Sequence, residues 1–184
     1  MRKLNQVGFF EQPILKDIGL TSHIIKDSLE YTYGVLDSID HTLIDNNQPR
    51  LSGLVELANL SAIIGNLFRS GIERFSNGYY IKNAPHKHPD LLHKDNVNEG
   101  IEIKIALEKN KPKGHLIKPG LHLTLRYVLG DLQGKYIQGA NKRGDVIWVW
   151  EIRAGYLKHE HFSFSNTEGD SGKTAVITSE GMEQ

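Results

Sequence analysis

The chain has 184 residues, which is the size of one domain and enough to build a hydrophobic core. It contains no cysteine, which excludes disulfides and thiolate metal sites, and no apolar run approaches the roughly 20 residues of a membrane span. Its 22 basic and 22 acidic side chains cancel, which argues against coating nucleic acid through a global positive field but permits a local basic patch. We expect a soluble, cytoplasmic protein that does not contact membranes.

Residues 1–76 are predicted to be mainly helical. Thr21 can cap a first helix, in which apolar residues recur with helical spacing up to Leu43, where a polar run stops it. A second helix is predicted over residues 52–75, with a wide apolar face, and Gly78 follows its end.

Residues 77–164 are predicted to form a sheet. Four segments have the pattern of strands: 79–81, 100–106, 121–129 and 146–152. The last of these is too continuously apolar for a sheet edge, so we expect Trp148 and Trp150 to be core residues. Residues 165–184, rich in glycine, serine and threonine, predict a covering loop or a mobile tail. The expected fold is α/β, one domain over residues 1–184 with N-terminal helices followed by a central mixed β-sheet.

The strand at 100–106 carries the residues that indicate chemistry. Its two-residue period sends the isoleucines to one face and Glu102 and Lys104 to the other. Asp90 stands twelve residues before Glu102, and the polar stretch between them is suited to turning the chain back. If the two segments pair as a hairpin, both carboxylates converge at one end of it, where they suit a hard octahedral cation, Mg²⁺ or Mn²⁺.

Such a cation lowers the pKa of bound water and neutralises charge that develops on a phosphodiester. Lys104 would hold the attacking water, help to deprotonate it, or stabilise the pentavalent phosphorus centre. The residue types and their spacing therefore predict phosphodiester hydrolysis.

The run Pro89-Asp90, a gap of eleven residues and then Glu102-Ile103-Lys104 resembles the signature of the PD-(D/E)xK nucleases. This is the active site of many type II restriction endonucleases and several repair nucleases. The order of elements over roughly residues 52–106 is also similar: a helix, a strand and the hairpin with the motif. The resemblance implies a restriction-endonuclease-like fold and a Mg²⁺-dependent endonuclease, able to use Mn²⁺, that cuts double-stranded DNA with sequence specificity.

The resemblance also concerns the elements around the motif. Many such enzymes place a glutamate of the preceding helix near the metal, and Glu56 is the best match because its helical neighbours are apolar. Family members usually follow the motif strand with a helix, but residues 107–120 contain two prolines, so that helix is expected to be absent, very short or replaced by a loop. Cutting both strands of a duplex implies a twofold homodimer, with the apolar N-terminal helices as its surface.

A basic stretch follows the motif strand. It is predicted to contact DNA phosphates, with Asn110 free to touch a base edge, although a solvated loop fits the pattern equally well. Its charged members are Lys109, Lys111, Lys113, His115 and Lys118. On the approach to Asp90, His86, Lys87 and Lys94 add positive or switchable charge.

Three other interpretations stay open. A repair or mobile-element nuclease would use the same residues but read DNA structure instead of sequence. A non-catalytic binding protein would carry the motif by accident, on the solvent face of a strand. A zinc hydrolase would use His86, His88 and Asp90, although the metallo-β-lactamase-type signature that these residues resemble needs histidine where Leu91 stands.

Overall fold

The fold comes from a computed structural model, which describes residues 2, 13–85, 87–95, 100–139, 142–165 and 174–183. Within these residues, helices cover one face of a five-stranded sheet and a three-stranded sheet lies against the other face. The chain is therefore of the mixed α/β class that the sequence predicts. No helix in the described part of the chain is both long and apolar enough to span a bilayer.

The helices follow the predicted pattern with one interruption. They are α1 (Pro13–Asp17), α2 (Ser22–Asp45), α3 (Leu51–Leu54) and α4 (Leu57–Phe75). Thr21 caps α2 as predicted, because its side-chain oxygen accepts a hydrogen bond from the backbone N–H of Ile24 at 3.3 Å. The predicted second helix is divided, since Val55 and Glu56 have extended backbone angles that separate α3 from α4.

The two sheets contain eight strands among the described residues. They are β1 (Tyr80–Lys82), β2 (Leu91–His93), β3 (Ile101–Leu107), β4 (Lys113–Gly114), β5 (Gly120–Gly130), β6 (Val146–Leu157), β7 (Phe162–Ser165) and β8 (Thr174–Ile177). The large sheet has the order β1-β2-β3-β5-β6, with β3 and β5 parallel and the other neighbours antiparallel. The small sheet has the antiparallel order β4-β8-β7. The connection from β3 to β5 contains β4 and no helix, as its prolines predict.

The structure corrects the prediction for β6. This strand ends the order of the large sheet, because its apolar first half packs against the helices instead of another strand: the Tyr33 hydroxyl accepts a hydrogen bond from Val149 N, and its ring meets Trp148 edge-on. Trp150 is not a core residue. It is the extra residue of a β-bulge opposite Arg126, and its side chain is 43% exposed.

The C-terminal segment is more ordered than predicted. Residues 174–183 form β8 and a short 3₁₀ helix, so this part of the expected tail is built into the small sheet. Residues 166–173 lie outside the described part of the chain.

Helices α2 and α4 bury their apolar faces within the chain. The fully buried residues of α4 are Leu60, Ile64, Phe68 and Ile72. A Cβ at Gly71 would stand 2.7 Å from the Cα of Ser28, so the close crossing of the two helices requires glycine there. These faces pack against each other and against the large sheet, so they are buried within the chain. The homodimer expected from the resemblance stays a prediction.

Candidate active site

The face of β3 that carries Glu102 and Lys104 is buried under the small sheet. In the register of β3 and β5, Glu102 lies opposite His122 and Lys104 lies opposite Thr124. Glu102 is 2% exposed. Gly114 of β4 lies against Lys104, since a Cβ built on this glycine would stand 3.1 Å from the ammonium nitrogen. The polar alternation in β3 therefore marks a buried polar layer and not a solvent-facing one.

Three side chains meet the carboxylate of Glu102. The ammonium nitrogens of Lys104 and Lys118 lie 2.6 and 2.7 Å from Oε1, and Nδ1 of His88 lies 2.7 Å from Oε2. Burial alone would raise the pKa of Glu102, but the charge and hydrogen bond of Lys104 and the hydrogen bonds of Lys118 and His88 outweigh it and lower this pKa to about 2. The ionised carboxylate can only accept, so Nδ1 of His88 carries a proton.

The predicted hairpin is present and places Asp90 beside β3. Leu91 pairs with Ile101, and this antiparallel register, continued by one residue, sets Asp90 opposite Glu102. One oxygen of Asp90 accepts a hydrogen bond from the backbone N–H of Ile103 at 2.8 Å. Its other oxygen accepts from Arg69 of α4 at 3.0 Å. These two bonds fix the orientation of the carboxylate at the edge of β3, beyond the end of β2.

The approach of the Asp90 segment to β3 depends on Gly100. A Cβ at this position would stand 2.0 Å from Cγ of Pro89 and 2.5 Å from the carbonyl oxygen of Leu91. No larger residue fits there without moving backbone, so the glycine before β3 allows the hairpin that carries Asp90 to close.

Glu56 is not brought to this site. It is the exposed N-cap residue of α4, and the 13 residues from 56 to 69 separate it from Arg69 by about 20 Å along the helix axis. The helix instead presents Arg69, whose guanidinium also donates to the side-chain oxygen of Asn66 at 2.8 Å. The prediction was wrong because it oriented the helix by its apolar face, whereas Asp90 meets the polar stripe. The i, i+3 pair of Asn66 and Arg69 was the available signal.

The donor set fits a hydrated Mg²⁺ ion. Such an ion needs only one or two protein carboxylates, because water and substrate phosphates complete its octahedron. Each carboxylate oxygen accepts about two hydrogen bonds, so Asp90 keeps capacity on both oxygens and Glu102 keeps capacity on Oε2. If the chain binds Mg²⁺, Asp90 and Glu102 are the side chains that would hold it.

The same geometry argues against the zinc hypothesis. A zinc site uses at least three protein ligands, and the described residues contain no group of three or more His, Asp or Glu side chains that could hold a metal ion. Nδ1 of His88 is bound to Glu102, which leaves only Nε2 of this ring for a metal. His86 lies outside the described residues.

The predicted DNA-contacting residues differ in exposure. Those that are exposed are Lys87, Lys94, Lys109, Asn110, Lys111, Lys113 and His115. Lys118 is half-buried because it is bound to Glu102. Lys113 belongs to β4, so the predicted loop is partly a strand of the small sheet.

Sequence reasoning also missed that His122 is buried on the same face as Glu102. Its ring is 1% exposed, and burial lowers its pKa to about 4, so the ring is neutral near pH 7. Nδ1 lies 3.1 Å from the carbonyl oxygen of Gly120, which only accepts, so Nδ1 carries the proton and Nε2 does not. Nε2 has no hydrogen-bond partner among the described residues. The sequence signal for this buried histidine is its position between two leucines in the alternating pattern of β5.

The chain matches no protein-family model, and no curated protein and no solved structure is significantly similar to it. The resemblance to PD-(D/E)xK nucleases therefore depends on Asp90, Glu102, Lys104 and their surroundings. A functional assignment has to come from the chemistry of this site, since a fold alone does not determine function.

Proposed function

We propose that the chain is a Mg²⁺-dependent endonuclease that hydrolyses phosphodiester bonds in double-stranded DNA, in the manner of type II restriction enzymes. The observation that carries this proposal is the meeting of Asp90, Glu102 and Lys104 at the start of β3. Two carboxylates suit a divalent cation, and the adjoining cationic groups suit the phosphate that such a cation would bind.

Each residue has a role that its contacts support. When bound by Asp90 and Glu102, Mg²⁺ would supply charge neutralisation and lower the pKa of a water molecule. Lys104 is held between Glu102 and Gly114, which orients its ammonium group to donate to the attacking water or to a phosphate oxygen. Arg69 would act as a positioning residue, because it holds one oxygen of Asp90 from α4.

The exposed lysines that follow β3 would provide the DNA contact. Lys109 and Lys111 lie in the connection from β3 to β4, and Lys113 is the first residue of β4, so phosphates bound there would lie beside the site. Two copies of the chain, related by a twofold axis, would present two such sites to the two strands of a duplex.

Cleavage of supercoiled plasmid and phage DNA in Mg²⁺ tests the proposal. We expect discrete bands from the wild type and a rate lower by orders of magnitude for Lys104→Ala, with unchanged far-ultraviolet circular dichroism. Lys26→Ala is the matched control, because Lys26 pairs with Glu30 on α2, away from the site. Absence of cleavage in Mg²⁺ and in Mn²⁺, or equal rates for Lys104→Ala and the wild type, would contradict the proposal. Cleavage confined to nicks, gaps or branches would identify a structure-selective repair or mobile-element nuclease.

Non-catalytic nucleic-acid binding is a second candidate, favoured by a specific observation. The carboxylate of Glu102 is already neutralised by Lys104 and Lys118 and bound by His88, which is a stable arrangement without an ion. This candidate predicts DNA binding that does not change when Mg²⁺ or Mn²⁺ is added, and no heat of Mn²⁺ binding in calorimetry.

A further inference from the structure

The oxygen Oε1 of Glu102 has no capacity left for a metal ion. It accepts hydrogen bonds from Lys104 and from Lys118, and a carboxylate oxygen accepts about two. An ion bound through this oxygen has to displace one lysine, and an ion bound through Oε2, which keeps capacity, would still repel both ammonium groups. The surroundings of the two lysines indicate which one moves.

Lys104 is the more firmly held of the two. It stands in β3, two residues from Glu102 and paired with Thr124 of β5, and its side chain is 16% exposed. Lys118 lies in the connection between β4 and β5, outside both strands, and its side chain is 29% exposed. Moving Lys118 into solvent needs only rotation of its side chain, whereas moving Lys104 means displacing it from beside Gly114.

We propose that Lys118 is a positioning residue that exchanges with the divalent cation at Glu102. Without the ion, Lys118 neutralises a carboxylate that is 2% exposed and would otherwise be a costly buried charge. When the ion binds Glu102, Lys118 is released and its ammonium group turns to a DNA phosphate, beside the exposed lysines of the same segment. This inference rests on the proposed function, because it takes Glu102 as a ligand of the ion.

The exchange couples two binding events. An ion that frees Lys118 raises the affinity for DNA, and by reciprocity DNA raises the affinity for the ion by the same factor. This coupling adds to the direct contact between the ion and a phosphate. A lysine that contacts phosphate permanently, or one that only neutralises Glu102, would add nothing to the effect of the ion on DNA affinity.

The first test is calorimetric titration of the DNA-free protein with Mn²⁺. Lys118→Gln removes the competing charge, so we expect its dissociation constant for Mn²⁺ to fall by on the order of tenfold. Lys118→Arg keeps the charge and binds a carboxylate more rigidly, so we expect weaker Mn²⁺ binding than in the wild type. Lys26→Gln on α2 is the control for loss of a lysine elsewhere, and Glu102→Gln checks that the ion occupies this site.

The second test compares DNA affinity with and without Ca²⁺, a hard cation that, like Mg²⁺, prefers oxygen ligands. We expect Ca²⁺ to tighten binding by the wild type more than by Lys118→Gln, because both proteins gain the contact between the ion and a phosphate but only the wild type also gains the released ammonium group. Equal tightening of the two proteins would overturn the exchange. Lys113→Gln removes an exposed lysine of the same segment, so it should weaken binding in both conditions and keep the stimulation by Ca²⁺.

The outcomes separate the exchange from the proposed function. If the wild type binds Mn²⁺ and Lys118→Gln binds it no more tightly, the exchange is wrong while the nuclease proposal survives. If neither binds Mn²⁺, both are wrong. If only Lys118→Gln binds Mn²⁺, the competition is confirmed in its strongest form. A Lys118→Gln protein that does not fold leaves Lys118→Arg to decide, and unweakened Mn²⁺ binding by that variant would overturn the exchange.

Discussion

The two faces of the large sheet are built from alternate residues of the same strands, yet one is buried by apolar packing and the other by charged and hydrogen-bonded contacts. Toward α2 and α4, side chains such as Leu123 and Leu125 are at most 1% exposed, and their burial needs no specific partner. Toward the small sheet, Glu102 and His122 are almost as buried, but each polar atom there needs a partner. The comparison teaches that stability depends mainly on packing at one face, while at the other face it depends on charged and hydrogen-bonded groups and should therefore change with pH.

The largest effect is expected on the helix-facing side. Leu125→Ala removes a fully buried side chain and leaves a cavity, so the free energy of unfolding should fall by about 2–5 kcal/mol. Because no titratable group is involved, the loss should be the same at pH 7 and pH 5 in urea titrations. A loss below about 1 kcal/mol would mean that this side of the sheet is not the core.

On the small-sheet side, Glu102 should make stability depend on pH. Its pKa is lowered from 4.5 to about 2 in the fold, so its contribution is complete above pH 4.5 and is lost as the pH falls toward 2. At about 1.36 kcal/mol per pKa unit, the contribution is at most on the order of 3 kcal/mol. In acid unfolding, Glu102→Gln should remove this part of the pH dependence. Parallel curves for the variant and the wild type would show that the carboxylate is not held as described.

His122 gives a second pH dependence at higher pH, of which the part between pH 7 and pH 5 is measured. Its pKa is lowered from 6.5 to about 4 by burial, so the neutral ring contributes fully above pH 6.5, and the contribution is lost as the pH falls toward 4. At pH 5 the wild type should have lost about 2 kcal/mol relative to pH 7 through this group. His122→Gln does not titrate in this range, so its stability should change less between these two values. Equal changes for the two proteins would assign the pH dependence to other groups.

The smallest expected effect is on the salt dependence of DNA affinity, through lysines on the side of the small sheet. Lys111 and Lys113 are exposed, and Lys113 lies in β4. If both contact phosphates, changing them together to alanine should make the log–log dependence of affinity on salt shallower by roughly two. The measurement is filter binding in Ca²⁺ across a salt series. An unchanged slope would place the DNA on another surface, such as that of Lys87 and Lys94.

The parts that the sequence predicts are those with local causes. The cap at Thr21 sets the start of α2, the two-residue period sets β3 and β5, and the prolines exclude a helix after β3. Contacts between segments that lie far apart in the chain could not be predicted from the sequence. The pairing of β4 with β8 joins segments some sixty residues apart, and this sheet packs against Lys104 and His122, on the same face as Glu102.

The candidate site divides in the same way. The hairpin that brings Asp90 to β3 followed from local polarity and spacing. The contacts of Arg69, His88 and Lys118 depend on how α4 and two connections pack against that hairpin, which no local pattern encodes. The misplacement of Glu56 has the same origin, because helix orientation is a tertiary property.

The most direct test of the central claim is a crystal structure of the protein grown or soaked with Mn²⁺, read by its anomalous scattering. The account predicts a peak within about 2.0–2.6 Å of carboxylate oxygens of both Asp90 and Glu102, with Lys118 turned away from Oε1. A saturating concentration of Mn²⁺ that leaves this position without a peak, and Glu102 still bound to Lys118, would contradict it.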